Sequence, residues 1–311
     1  MRKTCLNSVY DLARRDDRVI FIGSDLGVST LDEFKNNIPE RFFMEGISEQ
    51  HIIGMAAGLA MEGNIPYVNT ISVFLTRRCF EQIVLDLCLH NLNVRLIGNG
   101  GGLVYAPLGP THLAVEDIAI LRTIPNMTIL APADAKEIAR LMELTIEHDG
   151  PVYIRLAKGG DHIVTPDDQE YKIGKSIRVR EGKDILIITT GVTLQISLDA
   201  ARSLASKGVE AGILHIHTIK PLDTKAIIER LAEVPALITV EEGTVIGGLG
   251  SSVAEIVAEA DFGQPKKFKR IGVPDTFSDN FGSQKELMEG FGITAANVAQ
   301  TALELIDVKS G

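Results

Sequence analysis

Four short runs limit the fold more than anything else in the chain: "RVIFIGSDL" (18–26), "VRLIGNGGG" (94–102), "PVYIRLA" (151–157) and "DILIITTG" (184–191). Each is almost continuously apolar and lacks the alternation of a strand that shows one face to water, so each must be covered on both sides. The stretches between them carry helical periodicity, at 49–62, 74–91 and 133–150, with a shorter helical pattern at 115–124. Further strand patterns fall at 65–71 and 127–133. Doubly covered strands alternating with helices predict an α/β fold with a parallel sheet and right-handed crossovers.

At 311 residues the chain is too long for one ordinary core and suits two domains. The alternation breaks at "KGGDHIVTPDDQEYKIGKSIRVREGK" (158–183), which is rich in Gly, Asp and charge. The expected layout is an α/β domain over 1–165, a linker over 166–183, and a smaller α/β domain over 184–311. In the second domain strands are expected at 184–191, 209–216, 236–243 and 268–273, with helices at 194–206, 224–232 and 251–260. There is no internal repeat.

A net charge of −10 disfavours nucleic acid and anionic membrane as partners, since both reward clustered Lys and Arg. The N-terminus "MRKTCLNSVYDLARRDD" is charged throughout, unlike a signal peptide, and no apolar run approaches the ~20 residues of a membrane span. The three cysteines have no metal-ligand or disulfide spacing, so a reducing, cytoplasmic setting is expected.

Three places could carry chemistry. In "MEGISEQHIIGMAAGLAMEG" (44–63), Glu49 opens an apolar helix whose Gly54, Ala56, Ala57, Gly58 and Ala60 permit close approach of another surface. A carboxylate there is favoured by the helix dipole alone. If buried, it could also share a proton with a ligand nitrogen. In "NTISVFLTRRCFEQI" (69–83), Phe74 sits where strand gives way to helix and suits either core packing or stacking on a flat ring. Arg77 and Arg78 stand near a helix start, where the dipole disfavours them, and an anionic partner would explain at least one. In "GNGGGLVYAPLGPTHLAVEDIA" (98–119), His112 lies in a Gly-rich loop after a parallel strand, the edge at which open α/β sheets bind ligands. "GGLGSSV" (247–253) only approximates a dinucleotide fingerprint, with Val253 in place of the third glycine, and there is no P-loop.

Taken together, "GISEQHIIGMAAGLA", "SVFLTRRCFEQI", "GPTHLAVEDIAILRTIPNMTILAPADAKE", "GPVYIRLAKG", "IKPLD" and "VEEGTVIGGLGSSVAE" resemble the C-terminal half of transketolase over essentially the whole chain. The chain is similar to the separate C-terminal subunit of split transketolases. The resemblance implies a thiamine diphosphate pyrimidine-binding domain followed by a transketolase C-terminal domain. It implies that Glu49 hydrogen-bonds the cofactor's aminopyrimidine, that Phe74 stacks on it, and that Asp25 lies near it. It makes His112 a contact to the donor's hydroxyls and Arg155 a contact to the sugar phosphate, with Arg2 and Ser29 as further phosphate contacts. Arg77 matches an arginine of the deoxyxylulose-phosphate synthase relatives.

Two departures accompany the resemblance. Leu108 stands where transketolases carry an aspartate that contacts the acceptor, so an unusual acceptor aldehyde is expected. No Gly-Asp-Gly occurs, the motif that holds Mg2+ and the diphosphate in these enzymes. The resemblance therefore implies a partner N-terminal subunit that carries it, in an α2β2 assembly, with thiamine diphosphate and Mg2+ held mainly by the partner. The alternatives are a synthase-like or 2-oxoacid-decarboxylating thiamine enzyme, or a non-catalytic scaffold.

Overall fold

In a computed structural model of the chain, residues 1–24 and 31–307 are described, and among them the strands form two sheets. The first half supplies β1 (Val19–Gly23), β2 (Phe42–Met44), β3 (Ile65–Ile71), β4 (Arg95–Asn99), β5 (Thr128–Leu130) and β6 (Val152–Leu156). The second supplies β7 (Ile177–Arg180), β8 (Ile185–Thr189), β9 (Ala211–His215), β10 (Thr218–Lys220), β11 (Ala236–Thr244) and β12 (Lys267–Val273). The first sheet runs β10-β5-β6-β4-β3-β1-β2 and the second β12-β11-β8-β9-β7. Pairing is parallel except at two edges, β10 on β5 and β7 on β9.

The apolar runs behave as their composition requires. β1, β4, β6, β8 and β9 are buried along their whole length. On one face of the first sheet Phe21, Tyr67, Ile97 and Ile154 pack with Leu6 and Val9 of the helix Arg2–Ala13 and with Ile138 and Leu141 of the helix Ala135–Thr145. On the other, Ile22, Val68 and Leu96 pack with Ile52, Ile53 and Ala56 of the helix Glu49–Met61. Each such side chain contributes about 1.5–3 kcal/mol through burial. This second layer continues into Ile188, Leu214 and Leu237, so one core joins the two sheets. No helix among the described residues is long and apolar enough to cross a membrane.

The structure differs from the sequence expectation in three places. The stretch 74–91 is not one α-helix: Phe74–Arg78 and Ile83–Cys88 are π-helical, with Phe80–Gln82 α-helical between them. Such wide turns change the direction in which following side chains point and concentrate at functional sites. The segment expected as linker contains β7, which belongs to the second sheet because its backbone pairs with β9. β10 leaves the second domain to close the edge of the first sheet, so neither half of the chain is self-contained. Cys5, Cys79 and Cys88 are free and buried.

Candidate active site

At the C-terminal edge of the first sheet, side chains from three segments make one contiguous chain. Glu49 is the first residue of the helix Glu49–Met61 and is only 4% exposed. The preceding Ser48 does not cap the helix; its hydroxyl donates to the Glu45 carbonyl at 3.0 Å. The Glu49 carboxylate therefore stands alone at the positive end of the helix dipole, and Arg78 Nη1 donates to its Oε2 at 3.0 Å. The same guanidinium lies over the Phe74 ring, 4.2 Å from its centre. Gln50 Nε2 fixes the backbone of Arg78 through its carbonyl at 2.9 Å. Phe74 in turn meets His112 edge to face, with ring centres 5.1 Å apart. His112 Nδ1 is 2.9 Å from the Thr111 hydroxyl, which leaves Nε2 to face outward contacts.

The structure thus brings Glu49, Phe74 and His112 together and adds Arg78. Both arginines near the helix start have carboxylate partners: Arg78 has Glu49, and Arg77 pairs with Glu116 while its Nη2 donates to the Leu113 carbonyl at 3.1 Å. Leu108 is 51% exposed on the short helical turn Ala106–Leu108 that leads to His112.

Arg155 lies behind these residues at the domain boundary. It is 7% exposed; its Nε donates to Asp117 Oδ2 at 2.8 Å, and its Nη2 donates to the carbonyls of Ala114 (3.1 Å) and Glu242 (2.7 Å). Burial alone would lower its pKa, but the Asp117 and Glu242 carboxyls outweigh that and raise it. A guanidinium held in this way ties the first domain to β11. Lys158, three residues on, is exposed beyond β6 and makes no ion pair among the described residues. Arg2 begins the helix Arg2–Ala13 at the same edge, since a Cβ added at Gly159, beyond β6, would lie 3.6 Å from the Met1 nitrogen. Asp25 and Ser29 lie outside the described residues.

Sequence reasoning missed the polar seam behind the loop of His112. Glu241 and Glu242, adjacent on β11, are both buried, and burial pushes each carboxyl up to about 7. Glu241 accepts from the Leu249 and Gly250 amides at the start of the helix Leu249–Glu259, at 2.9 and 2.8 Å. Glu242 reaches the first domain. Two consecutive carboxyls inside an apolar strand, "ALITVEEG", were the available signal.

A cavity of about 620 Å3 lies between the domains, lined by Leu113, Val115, Glu116, Val273 and Phe277 among others. It includes Arg77 but none of Glu49, Phe74 and His112, and so is not where a ring held by those residues would sit.

A buried carboxyl beside an aromatic face suits a flat heterocycle with a basic nitrogen, and Cβ atoms added at Gly54 and Gly58 of the Glu49 helix would meet nothing within 4 Å. Arg78, with a side chain 44% exposed, now covers both groups and would have to swing outward. Among the described residues no cluster of three or more His, Cys, Asp or Glu side chains converges as a metal site would require.

The fold and this site define a class: a pyrimidine-binding α/β unit followed by a second α/β domain. Residues 1–160 match the family model described as the pyrimidine-binding domain of transketolase, and 174–298 that of the transketolase C-terminal domain. The chain belongs to the transketolase family. It is 35% identical over 311 residues to a 6-deoxy-6-sulfo-D-fructose transketolase subunit of Clostridium sp. (strain MSTE9), covering 100% of this chain and 95% of that one. It is 38% identical over 297 residues to 1-deoxy-D-xylulose-5-phosphate synthase 1 of Geobacter sulfurreducens, covering 94% of this chain but 46% of the synthase. Among solved structures, a split-gene transketolase described as an inactive β4 tetramer superposes with a TM-score of 0.90 at 34% identity, over 99% of both chains.

Proposed function

We propose that this chain is the C-terminal subunit of a two-subunit, thiamine diphosphate-dependent transketolase that moves a two-carbon ketol unit from a ketose or ketose-phosphate donor to an aldehyde. The observation that carries the reading is the buried Glu49 carboxyl beside Phe74 and His112 on one edge of the sheet. Thiamine diphosphate, when bound, supplies the nucleophilic carbon and the electron sink. Glu49 holds a proton against the ring nitrogen of the aminopyrimidine, and Phe74 orients the ring by stacking. His112 turns its free nitrogen to the substrate's hydroxyls. Lys158 takes the role first expected of Arg155, as the cation at the anionic end of the substrate, with Arg2 beside it. Leu108 removes a polar partner from the acceptor, favouring an aldehyde that lacks the hydroxyl an aspartate would read.

The diphosphate and Mg2+ fall to a partner N-terminal subunit with the Gly-Asp-Gly motif, in an α2β2 assembly. Ile47, Met61, Leu85 and Leu89 are exposed on and beside the Glu49 helix and offer an apolar face for that subunit to cover. The similar solved chain, described as inactive in a tetramer of one chain type, supports a need for the partner. Three buried free thiols suit a reducing cytoplasm.

The test is reconstitution with the N-terminal subunit. Glu49→Ala is expected to leave assembly unchanged and lower turnover by about 10²–10⁴; full activity in that variant would refute the proposal. Arg77 and the similarity to the synthase favour a second reading, a synthase-like enzyme acting on a 2-oxoacid. Decarboxylation of pyruvate by the reconstituted pair, without ketol transfer, would establish it instead.

A further inference from the structure

The C-terminal domain grips both arms of the loop that carries His112. Gly102 and Ala114 bridge the loop's base, each amide donating to the other's carbonyl at 2.9 and 3.0 Å. The end of β11 runs along this base. The Leu103 amide donates to Glu242 Oε1 at 2.8 Å on the outgoing arm, and the Thr244 amide donates to the Val115 carbonyl at 2.8 Å on the returning arm. Arg155 Nη2 joins the Ala114 carbonyl to the Glu242 carbonyl. From the second domain, Gln284 Nε2 donates to the same Glu242 Oε1 at 2.7 Å. The fit is close: Gly102 has φ +65°, and a Cβ there would come within 2.7 Å of both the carboxyl carbon and the carbonyl oxygen of Glu242.

We propose that Glu242 is a positioning residue, the central tie by which the C-terminal domain holds the 100–112 loop, and with it His112, in place. Its relevance to catalysis rests on the function proposed above; the tie itself does not.

The chemistry of the tie follows from its surroundings. Both donors use Oε1, so Oε2 can carry a proton while the two hydrogen bonds persist. The charged groups facing it are Arg155 from β6 and Asp117 from the helix Asp117–Arg122; Glu241, next to it on the strand, is bonded to the Leu249 and Gly250 amides instead. Arg155 is already paired with Asp117. Ionised Glu242 therefore shares one guanidinium with Asp117 in a buried seam, and burial, only partly offset by Arg155, pushes its pKa up to about 7. The closed seam keeps a proton that the opened one releases near 4.5, so the grip should slacken as pH rises from about 4.5 to 7.

Hydrogen exchange over residues 100–115, read peptide by peptide by mass spectrometry and corrected for intrinsic rates from pH 5 to 8.5, tests this on the chain alone. The wild type should lose protection as pH rises from about 5 to 7 and level off above that. Glu242→Ala should exchange roughly tenfold faster at pH 6, the equivalent of about 1.4 kcal/mol. Glu242→Gln, which keeps an oxygen for Leu103, should stay protected at every pH. Wild-type protection in Glu242→Ala would overturn the proposal. If that variant does not fold, the pair of wild type and Glu242→Gln decides: parallel pH profiles would overturn it, and divergence between about pH 5 and 7 would support it. In the reconstituted enzyme Glu242→Gln should flatten any fall in kcat between about pH 5 and 7. An intact exchange result with no ketol transfer by the wild type would count against the proposed function and leave the tie standing.

Discussion

Replacing Arg155 with alanine separates a structural role from a substrate-binding one. The guanidinium pairs with Asp117 at 2.8 Å and stitches two backbone carbonyls across the domain boundary. Its removal leaves Asp117 buried with the Tyr153 hydroxyl at 2.7 Å and the Ser72 hydroxyl at 3.4 Å, while its Oδ1 has no partner even in the intact seam. Breaking a buried pair from one side costs about 3–5 kcal/mol, because the remaining charge cannot be resolvated. With a urea dependence of about 3 kcal/mol per molar, the midpoint should fall by about 1–1.7 M. Far-ultraviolet circular dichroism suits the measurement, since the chain has no tryptophan. The double variant Arg155→Met with Asp117→Leu should recover most of the loss, because two apolar side chains replace a pair whose desolvation offsets most of its attraction. A wild-type midpoint in Arg155→Ala, together with a raised KM for phosphorylated substrates, would refute the structural assignment and restore the sugar-phosphate role.

Three further outcomes follow from the same geometry. Lys158→Ala should raise KM for an anionic substrate about tenfold while leaving the urea midpoint unchanged, the inverse of Arg155→Ala; equal KM values would remove Lys158 from the site. Arg78→Ala should lower the apparent Kd of the reconstituted pair for thiamine diphosphate several-fold, by about 1 kcal/mol, since it clears a guanidinium from Glu49 and Phe74; calorimetry showing weaker binding would mean that Arg78 helps hold the cofactor. Glu241 retains in the folded state, up to about pH 7, a proton that the unfolded chain releases near 4.5. Stability from this group is therefore greatest at acid pH and declines as pH rises through that window. The decline in urea midpoint from pH 5 to 8 should be shallower in Glu241→Gln than in the wild type, and an unchanged slope would show that Glu241 is already ionised.

The doubly buried strands were legible because their signal is local: an apolar run needs only its own residues to declare that both faces are covered. Glu49, Phe74 and His112 could be singled out for a related reason, each being chemically unusual for its place: a helix start, a strand-to-helix junction and a Gly-rich loop. What stayed hidden depends on partners distant in sequence. Arg155 reads as a free cation until Asp117 and the Glu242 carbonyl are seen against it. β10 is three residues long, and its pairing with β5 cannot be inferred from composition. The π-helical turns at Phe74–Arg78 and Ile83–Cys88 carry ordinary helix formers, and only tertiary packing reveals the widened spacing.

The strand Thr218–Lys220 sets a condition on how this polypeptide can be divided. It lies antiparallel to β5 at the rim of the first sheet, and just before it the Ala131 amide donates to the His217 carbonyl at 2.8 Å. A protein cut between the two family units would expose bare amides and carbonyls along β5, an invitation to pair with another molecule. The clasp binds the halves into one inherited piece, so that shuffling either domain alone onto a new neighbour would carry a solubility defect with it.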